Sequence, residues 1–316
     1  MTQYLFTIVA ADKNFNINQI TMPNVQGNLV AHEPPLQGKL TLLSISGKDP
    51  RTGQVESEET LEEVTTQLNE VLGNVKGGKD LHAKVGTIKK APMVDIANGG
   101  VTIHYEPRIK LPQATKYSIK MVNASSSPWT FYVYQQVPSQ SPSIFSLAWF
   151  ASPIIIGTGK FFTASWYIDY SFVWAMTGVL QPGITFTAGE ITSCDPLSAN
   201  DIIFSDVSNT PGFSTPTYDP ASKGSLVIHD DPTVPNSTFS VGIGMAGQGT
   251  FAVEAGGHLR HYFTPTPQYW IAAGSTTTVG DVLDIKTVTQ TKQVNFGSGP
   301  YTKTATLQSD YTWLIT

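Results

Sequence analysis

The sequence predicts a mainly β protein: an antiparallel β-sandwich-like C-terminal domain preceded by a small α+β unit with one amphipathic helix. Three observations predict it. Apolar and polar residues alternate from Phe162 to Trp174, short apolar runs separated by Pro and Gly turns fill the rest of the C-terminal part, and one helical period stands alone near the N-terminus.

The helical period comes first in the chain. From Ser57 onward Leu61, Val64, Leu68, Val71 and Leu72 fall on one face at spacings of three and four, the pattern of an amphipathic helix over residues 57–72. Acidic residues crowd its first turns, where the helix dipole favours them, and Gly73 supplies a stop. Its flanks read as strands at Tyr4–Ala10, Lys39–Ser46, Lys84–Lys89 and Val101–Tyr105. Residues 1–110 are therefore expected to form one unit, a helix laid on a small sheet, with the Leu and Val stripe as core.

A composition change marks the next part. Residues 1–115 carry 11 basic and 12 acidic residues, whereas residues 116–316 carry only 8 and 12, and all six tryptophans lie in the latter. The seam is placed at 106–115, a stretch with two prolines and no clear period.

Residues 116–316 read as an all-β domain. Phe162, Ala164, Trp166, Ile168, Tyr170, Phe172 and Trp174 occupy alternate positions, so one strand face is apolar. Such a run is long for one strand, which predicts a bulge or a break into two. Further strands are expected at Tyr117–Asn123, Trp129–Gln135, Gly183–Ala188, Ser225–His229, Phe239–Met245, Thr250–Ala255 and Tyr269–Ala272. The Thr-rich tail suggests an edge hairpin, Val282–Gln293 against Tyr301–Gln308, across a Gly297–Pro300 turn. A sharper reading makes it an amphipathic hairpin of the membrane-inserting kind.

Charge narrows the partners. The net charge is −5 and the longest basic run is Lys89-Lys90, which argues against nucleic acid, because that needs a basic field. One cysteine, Cys194, permits no intramolecular disulfide. The N-terminus lacks a basic and apolar leader pattern, and the stretch 144–157 is too short and too interrupted to span a bilayer as a helix. The expectation is a cytoplasmic protein, or one exported without a cleaved signal peptide.

The chemical motifs are weak. Gly242, Gly244 and Gly247 match a dinucleotide-binding spacing, but residues 250–255 alternate as a strand where that motif needs a helix. Tight turns or close strand approach explain those glycines better. His258 and His261 would face opposite sides of a strand. Asp230, Asp231, Asp281 and Asp284 lack the spacing of a calcium loop. Glu190 and Glu254 are the only glutamates after residue 115, and nothing singles them out as a catalytic pair. The chain is therefore expected to be non-enzymatic, with no catalytic residue, metal or cofactor.

Residues 129–174 hold 14 of the chain's 33 aromatics and only Lys160 and Asp169 as charges. Most are expected to be core. The surplus suggests an interaction surface formed by Trp129, Tyr132, Tyr134, Trp149, Phe150 and Tyr167.

The blocks Ser146-Leu-Ala-Trp-Phe150, Ile168-Asp-Tyr-Ser-Phe-Val-Trp174, Thr177-Gly-Val-Leu-Gln-Pro-Gly183, Val241-Gly-Ile-Gly-Met-Ala-Gly-Gln-Gly-Thr250 and Phe263-Thr-Pro-Thr-Pro-Gln-Tyr-Trp270 succeed one another in order. In them the second part, about 117–275, resembles the bacterial rhizosphere-induced (RhiA) protein family. The resemblance implies no activity and no catalytic residues, and it supports a structural reading of Gly242–Gly249.

These features support two functional expectations. The first is a structural protein that self-associates into a homo-oligomer or larger assembly, since strand edges and surplus aromatics are natural contact surfaces. The second is a carbohydrate- or lipid-binding protein, including a pore-forming one, since aromatics at a polar surface suit sugar rings and lipid headgroups.

Overall fold

The computed structural model describes residues 2–10, 40–46, 51–59, 61–73, 83–90, 93–97, 99–104, 115–138, 141–265 and 268–316. The chain divides into two compact units, Met1–Ala91 with Asp206–Gly212, and Pro92–Ser205 with Phe213–Thr316.

The first unit holds β1 (Thr2–Ala10), β2 (Leu40–Ser46), β3 (Arg51–Ser57), α1 (Leu61–Gly73) and β4 (Ala83–Lys90). The strands form an antiparallel sheet in the order β2-β3-β1-β4. Phe6 and Ile8 of β1, Leu40 of β2 and Val55 of β3 are buried, and so are Val64, Leu68, Val71 and Leu72 of α1. These helix positions are the ones the three-four spacing selects; α1 lies against β4. The helix starts later than its sequence pattern suggests. Ser57 is still in β3, opposite Thr2 and Leu40, and its hydroxyl accepts the Glu59 N–H at 3.1 Å.

The second unit begins earlier than the seam read from composition. β5 (Met93–Ala97) and β6 (Gly100–His104) belong to it. Then come β7 (Lys116–Asn123), β8 (Thr130–Gln136), β9 (Phe145–Ser146), β10 (Ala148–Ala151), β11 (Phe161–Tyr167) and β12 (Tyr170–Ala175). Next are β13 (Glu190–Ser193), β14 (Asp201–Val207), β15 (Thr210–Phe213), β16 (Leu226–Asp230), β17 (Ser240–Met245) and β18 (Gln248–Glu254), of which Asp206–Gly212, the end of β14 and most of β15, counts with the first unit. The chain closes with β19 (Arg260–Phe263), β20 (Gln268–Gly274), β21 (Thr291–Val294), β22 (Thr302–Leu307) and β23 (Trp313–Ile315). The expected strand at Gly183–Ala188 is reduced to a single bridge, Thr185 to Asp281.

These strands make two sandwiches. In the first, a six-stranded sheet β23-β22-β7-β11-β6-β5 packs on a four-stranded sheet β10-β8-β20-β21. Between them lie Ile119 and Met121 of β7, Phe162 and Trp166 of β11, and Phe131 and Ile271 from the opposite sheet. In the second, β13-β12-β17-β18-β9 packs on β15-β14-β16-β19, with Phe172, Trp174, Phe204, Ile228, Val241 and Phe251 between them. Each ring or branched chain buried there contributes roughly 1.5–3 kcal/mol.

The long alternating run is two strands. It breaks at Ile168 and Asp169, so that Trp166 fills the first core and Trp174 the second. The exposed Ile168 marks the break.

Three further expectations are corrected. The sheets are mixed, not purely antiparallel: β11 with β6, β22 with β7 and β14 with β16 run parallel, which long connections between their partners permit. The strand expected at Val101–Tyr105 does not join the helix's sheet, since β6 pairs along its length with β11. The tail does not form the expected hairpin across Gly297–Pro300. β21 pairs with β20, whereas β22 pairs with β7 and β23, so the two halves enter opposite sheets of the first sandwich.

Gly242 and Gly244 lie in β17 and Gly249 in β18, an antiparallel hairpin turned by Ala246-Gly247. Both turn residues have positive φ, 52° and 71°, as the tight two-residue hairpin turn demands. A Cβ on Gly242 would stand 1.9 Å from the Phe251 carbonyl oxygen, so only glycine allows the strands to approach this closely.

Candidate binding site

At one end of the first sandwich β7, β20 and β22 begin and β8, β11 and β21 finish. Strand alternation turns Tyr117, Ile119 and Met121 of β7 to the same side, and Tyr117 is the outermost. Its ring stacks on Trp166 at 5.9 Å with an interplanar angle of 14°. Phe296 and Tyr301 meet it edge-on at 5.2 and 5.0 Å. Tyr269 lies 6.1 Å away and also packs on Trp149 and Trp166. Contacts of this kind are worth about 0.5–1.5 kcal/mol each beyond area burial, so the rings form a stiff floor.

Beside these rings is an open groove of about 360 Å³ whose lining includes Tyr117, Tyr269 and Phe296 together with the amides Gln268, Gln293 and Asn295. The volume falls within the roughly 300–1,000 Å³ of small-molecule sites. No charged side chain is among the lining residues. Each rim amide offers both donor and acceptor. The Asn295 Oδ1 already accepts the Gly297 N–H at 2.9 Å, which leaves its NH₂ to donate.

The phenols are kept neutral. Burial, then the neighbouring Tyr301, raises the Tyr117 pKa. Burial raises that of Tyr269 further. The groove therefore presents neutral hydrogen-bonding groups beside rings that are themselves largely buried, Tyr269 at 8% and Phe296 at 6% exposure, with Tyr117 the half-buried one.

The six aromatics expected to form an interaction surface do not come together. Trp149 and Phe150 are fully buried in the first sandwich. Tyr132 and Tyr134 sit on the outer face of their sheet as alternation requires, yet they too are buried. Leu283, with Val279, Ile285 and Val288, folds back over that face. The Tyr134 hydroxyl is bonded to Thr291 at 2.8 Å. Trp129 and Tyr167 are half-buried at opposite ends of the sandwich. Sequence reasoning missed Tyr269, Phe296 and the amides, because the groove joins segments around residues 117, 268 and 295 and no local pattern marks them.

The other polar candidates are engaged structurally. Glu190 accepts from Trp174 Nε1, Phe213 N and Thr192 Oγ1. Glu254 accepts the Leu180 N–H. The His261 Nε2 lies 2.8 Å from the buried Asp230 Oδ2, which also accepts the Gly256 N–H. His258 sits in the preceding turn at φ 65°. Asp231, Asp281 and Asp284 accept turn N–H groups, the ordinary use of Asp in loops. Burial, with Asp169 and Asp195 nearby, pushes the Cys194 thiol well above its usual range, the opposite of an activated nucleophile. Among the described residues no group of three His, Cys, Asp or Glu side chains could hold a metal ion. No helix among them is long and apolar enough to cross a membrane.

The second unit is thus a β protein of two stacked-sheet sandwiches whose open groove is aromatic and uncharged. The RhiA family profile matches residues 114–316, and the chain belongs to that family. It is 49% identical over 206 residues to Protein RhiA of Rhizobium leguminosarum bv. viciae, covering 65% of this chain and 88% of that protein. No solved structure matches.

Proposed function

We propose that this chain is a non-enzymatic binding protein and that its aromatic groove takes a neutral carbohydrate. The observation that carries the reading is the lining: three uncharged amides beside the half-buried Tyr117 ring, with no charged side chain among the lining residues. A phosphate or carboxylate ligand would find no cation there, and a purely apolar ligand would strand the amides. A glycan array screened with the full chain tests the reading. Binding to neutral glycans that is lost in Gln268→Ala/Gln293→Ala supports it. An array without any neutral hit removes it.

A second reading is self-association through the outer face of β14, β16 and β19. Ile203 and Tyr262 are exposed there, on the side where His229 pairs with Asp201 at 2.7 Å and Arg260 with Asp219 at 3.5 Å. An apolar face whose polar side chains are already paired suits a second copy of itself. Light scattering across a range of concentrations checks this; a constant monomer mass counts against it.

A further inference from the structure

The outer side of the six-stranded sheet carries a pattern of its own. Alternation sends Ile119, Met121, Phe162, Trp166 and Ala305 into the first core, so the residues between them face outward. Register places Thr304, Lys120, Thr163, Thr102 and Asp95 in one row across five strands. Thr302, Ser118, Ser165 and His104 form the next row. Within it the Ser165 hydroxyl donates to that of Ser118 at 3.0 Å. Lys116 and Lys120 are exposed, and Thr102, Thr163 and Thr304 are half-buried. This side is therefore rows of hydroxyls with cations set among them.

The cations are positioned by neutral partners. The Lys116 ammonium, which can only donate, meets His104 Nδ1 at 3.3 Å across the intervening β11. Lys120 Nζ lies 4.2 Å from the centre of the Phe161 ring, which holds the ammonium without cancelling its charge. That ring in turn covers Gly100, where a Cβ would stand 2.3 Å from it. Lys160, immediately before β11, is exposed, and its ammonium lies 2.7 Å from the place of a Gly99 Cβ. Among the described residues no carboxylate is within ion-pairing distance of Lys116, Lys120 or Lys160. Asp95, the acid of this side, stands three strand spacings from Lys120, roughly 14 Å. Residues 116–316 carry 12 acidic and 8 basic residues, so this side runs against the charge of its own part of the chain.

We propose that this side binds an acidic polysaccharide, a chain of hydroxylated rings with spaced carboxylates. Lys116 and Lys120 are four residues apart on β7, roughly 13 Å. One small anion cannot touch both, whereas an extended polyanion can. The threonine and serine hydroxyls between the lysines donate to and accept from sugar hydroxyls. A nucleic acid would call for a denser basic field and for rings on which bases stack, and here the Phe161 ring is enclosed between Gly100 and Lys120. The proposal is independent of the neutral-carbohydrate reading, because the groove has no charged side chain among its lining residues.

Titration calorimetry of the full chain with polygalacturonate, in low and in high salt, tests the proposal. The native chain is expected to bind, and to bind more weakly in high salt. Lys116→Gln/Lys120→Gln is expected to weaken binding at least tenfold, Lys116→Arg/Lys120→Arg to retain it, and Gln268→Ala/Gln293→Ala to leave it unchanged. Both lysines are exposed, and far-ultraviolet circular dichroism confirms that the variants fold. Absence of binding to polygalacturonate, or equal binding by the native chain and Lys116→Gln/Lys120→Gln, would overturn the proposal. So would tighter, lysine-dependent binding of a single-stranded oligonucleotide, which makes nucleic acid the partner. A polymer-free oligomer that high salt and the lysine variant both dissolve would overturn it too, by making a second copy the partner.

Discussion

Replacing Asn123 by alanine is the sharpest test of how the second unit is held together. Asn123 and Ser125 are both fully buried. The amide makes four hydrogen bonds, two given to the Ser127 and Ile156 carbonyls and two taken from Ser125. Removing it leaves the Ser125 N–H buried without that acceptor. The two carbonyls each keep another donor, Ser125 Oγ at 3.1 Å and Trp129 N at 3.2 Å. About 1 kcal/mol for each of the two bonds that the amide donates, plus roughly 1–3 kcal/mol for the stranded buried Ser125 N–H, give a destabilisation of about 3–5 kcal/mol. Urea unfolding monitored by tryptophan fluorescence reads it, since all six tryptophans lie beyond residue 115 and report on this unit. Asn123→Asp keeps both acceptors but aims an oxygen at two carbonyls, so it is expected to be at least as damaging. A loss below about 1 kcal/mol for Asn123→Ala would refute the view that this side chain joins the segments at Ser127 and Ile156.

Alkaline pH and a glycine supply further tests. Burial, the largest cause in each, lifts Tyr132 and Tyr170 from the ordinary 10.0 to about 12. A raised folded pKa means that this stabilisation is whole below pH 10 and lost as pH climbs through 12, about 2–3 kcal/mol for each phenol. Phenolate absorbance recorded beside tryptophan fluorescence should show these groups titrating together with unfolding; titration near pH 10 with the fold intact would contradict their burial. Gly242→Ala should cost about 3 kcal/mol or more, because its Cβ collides with the Phe251 carbonyl. Gly157→Ala, whose Cβ meets nothing within 4 Å, is the control, and thermal melts of the two compare them directly.

How much of this fold the sequence reveals depends on the range of each signal. Alternation is local, so β7, β8, β11, β12, β16, β17, β18 and β20 are visible in it, as is the helical stripe of Val64, Leu68, Val71 and Leu72. Pairing is not local. Val101–Tyr105 reads as a strand wherever it lies, and only its register with β11 assigns it to the second unit. The tail shows the same limit: two strand-like runs around a Gly-Pro turn resemble a hairpin, yet the better partners for β21 and β22 are β20 and β7, far back in the chain. Tyr132 and Tyr134 look like surplus aromatics because their strand already has a buried face. The segment that covers the other face, around Leu283, lies about 150 residues later. The groove eludes the sequence for the same reason, as Tyr117, Gln268 and Asn295 share no motif.

The proposed recognition of neutral sugar by the groove is open to saturation-transfer NMR of the full chain with neutral oligosaccharides. The native chain is expected to saturate sugar ring protons and Gln268→Ala/Gln293→Ala to lose that transfer, while the fold, read by circular dichroism, stays intact. No transfer to any neutral sugar, or equal transfer in the native and double-variant chains, would contradict it.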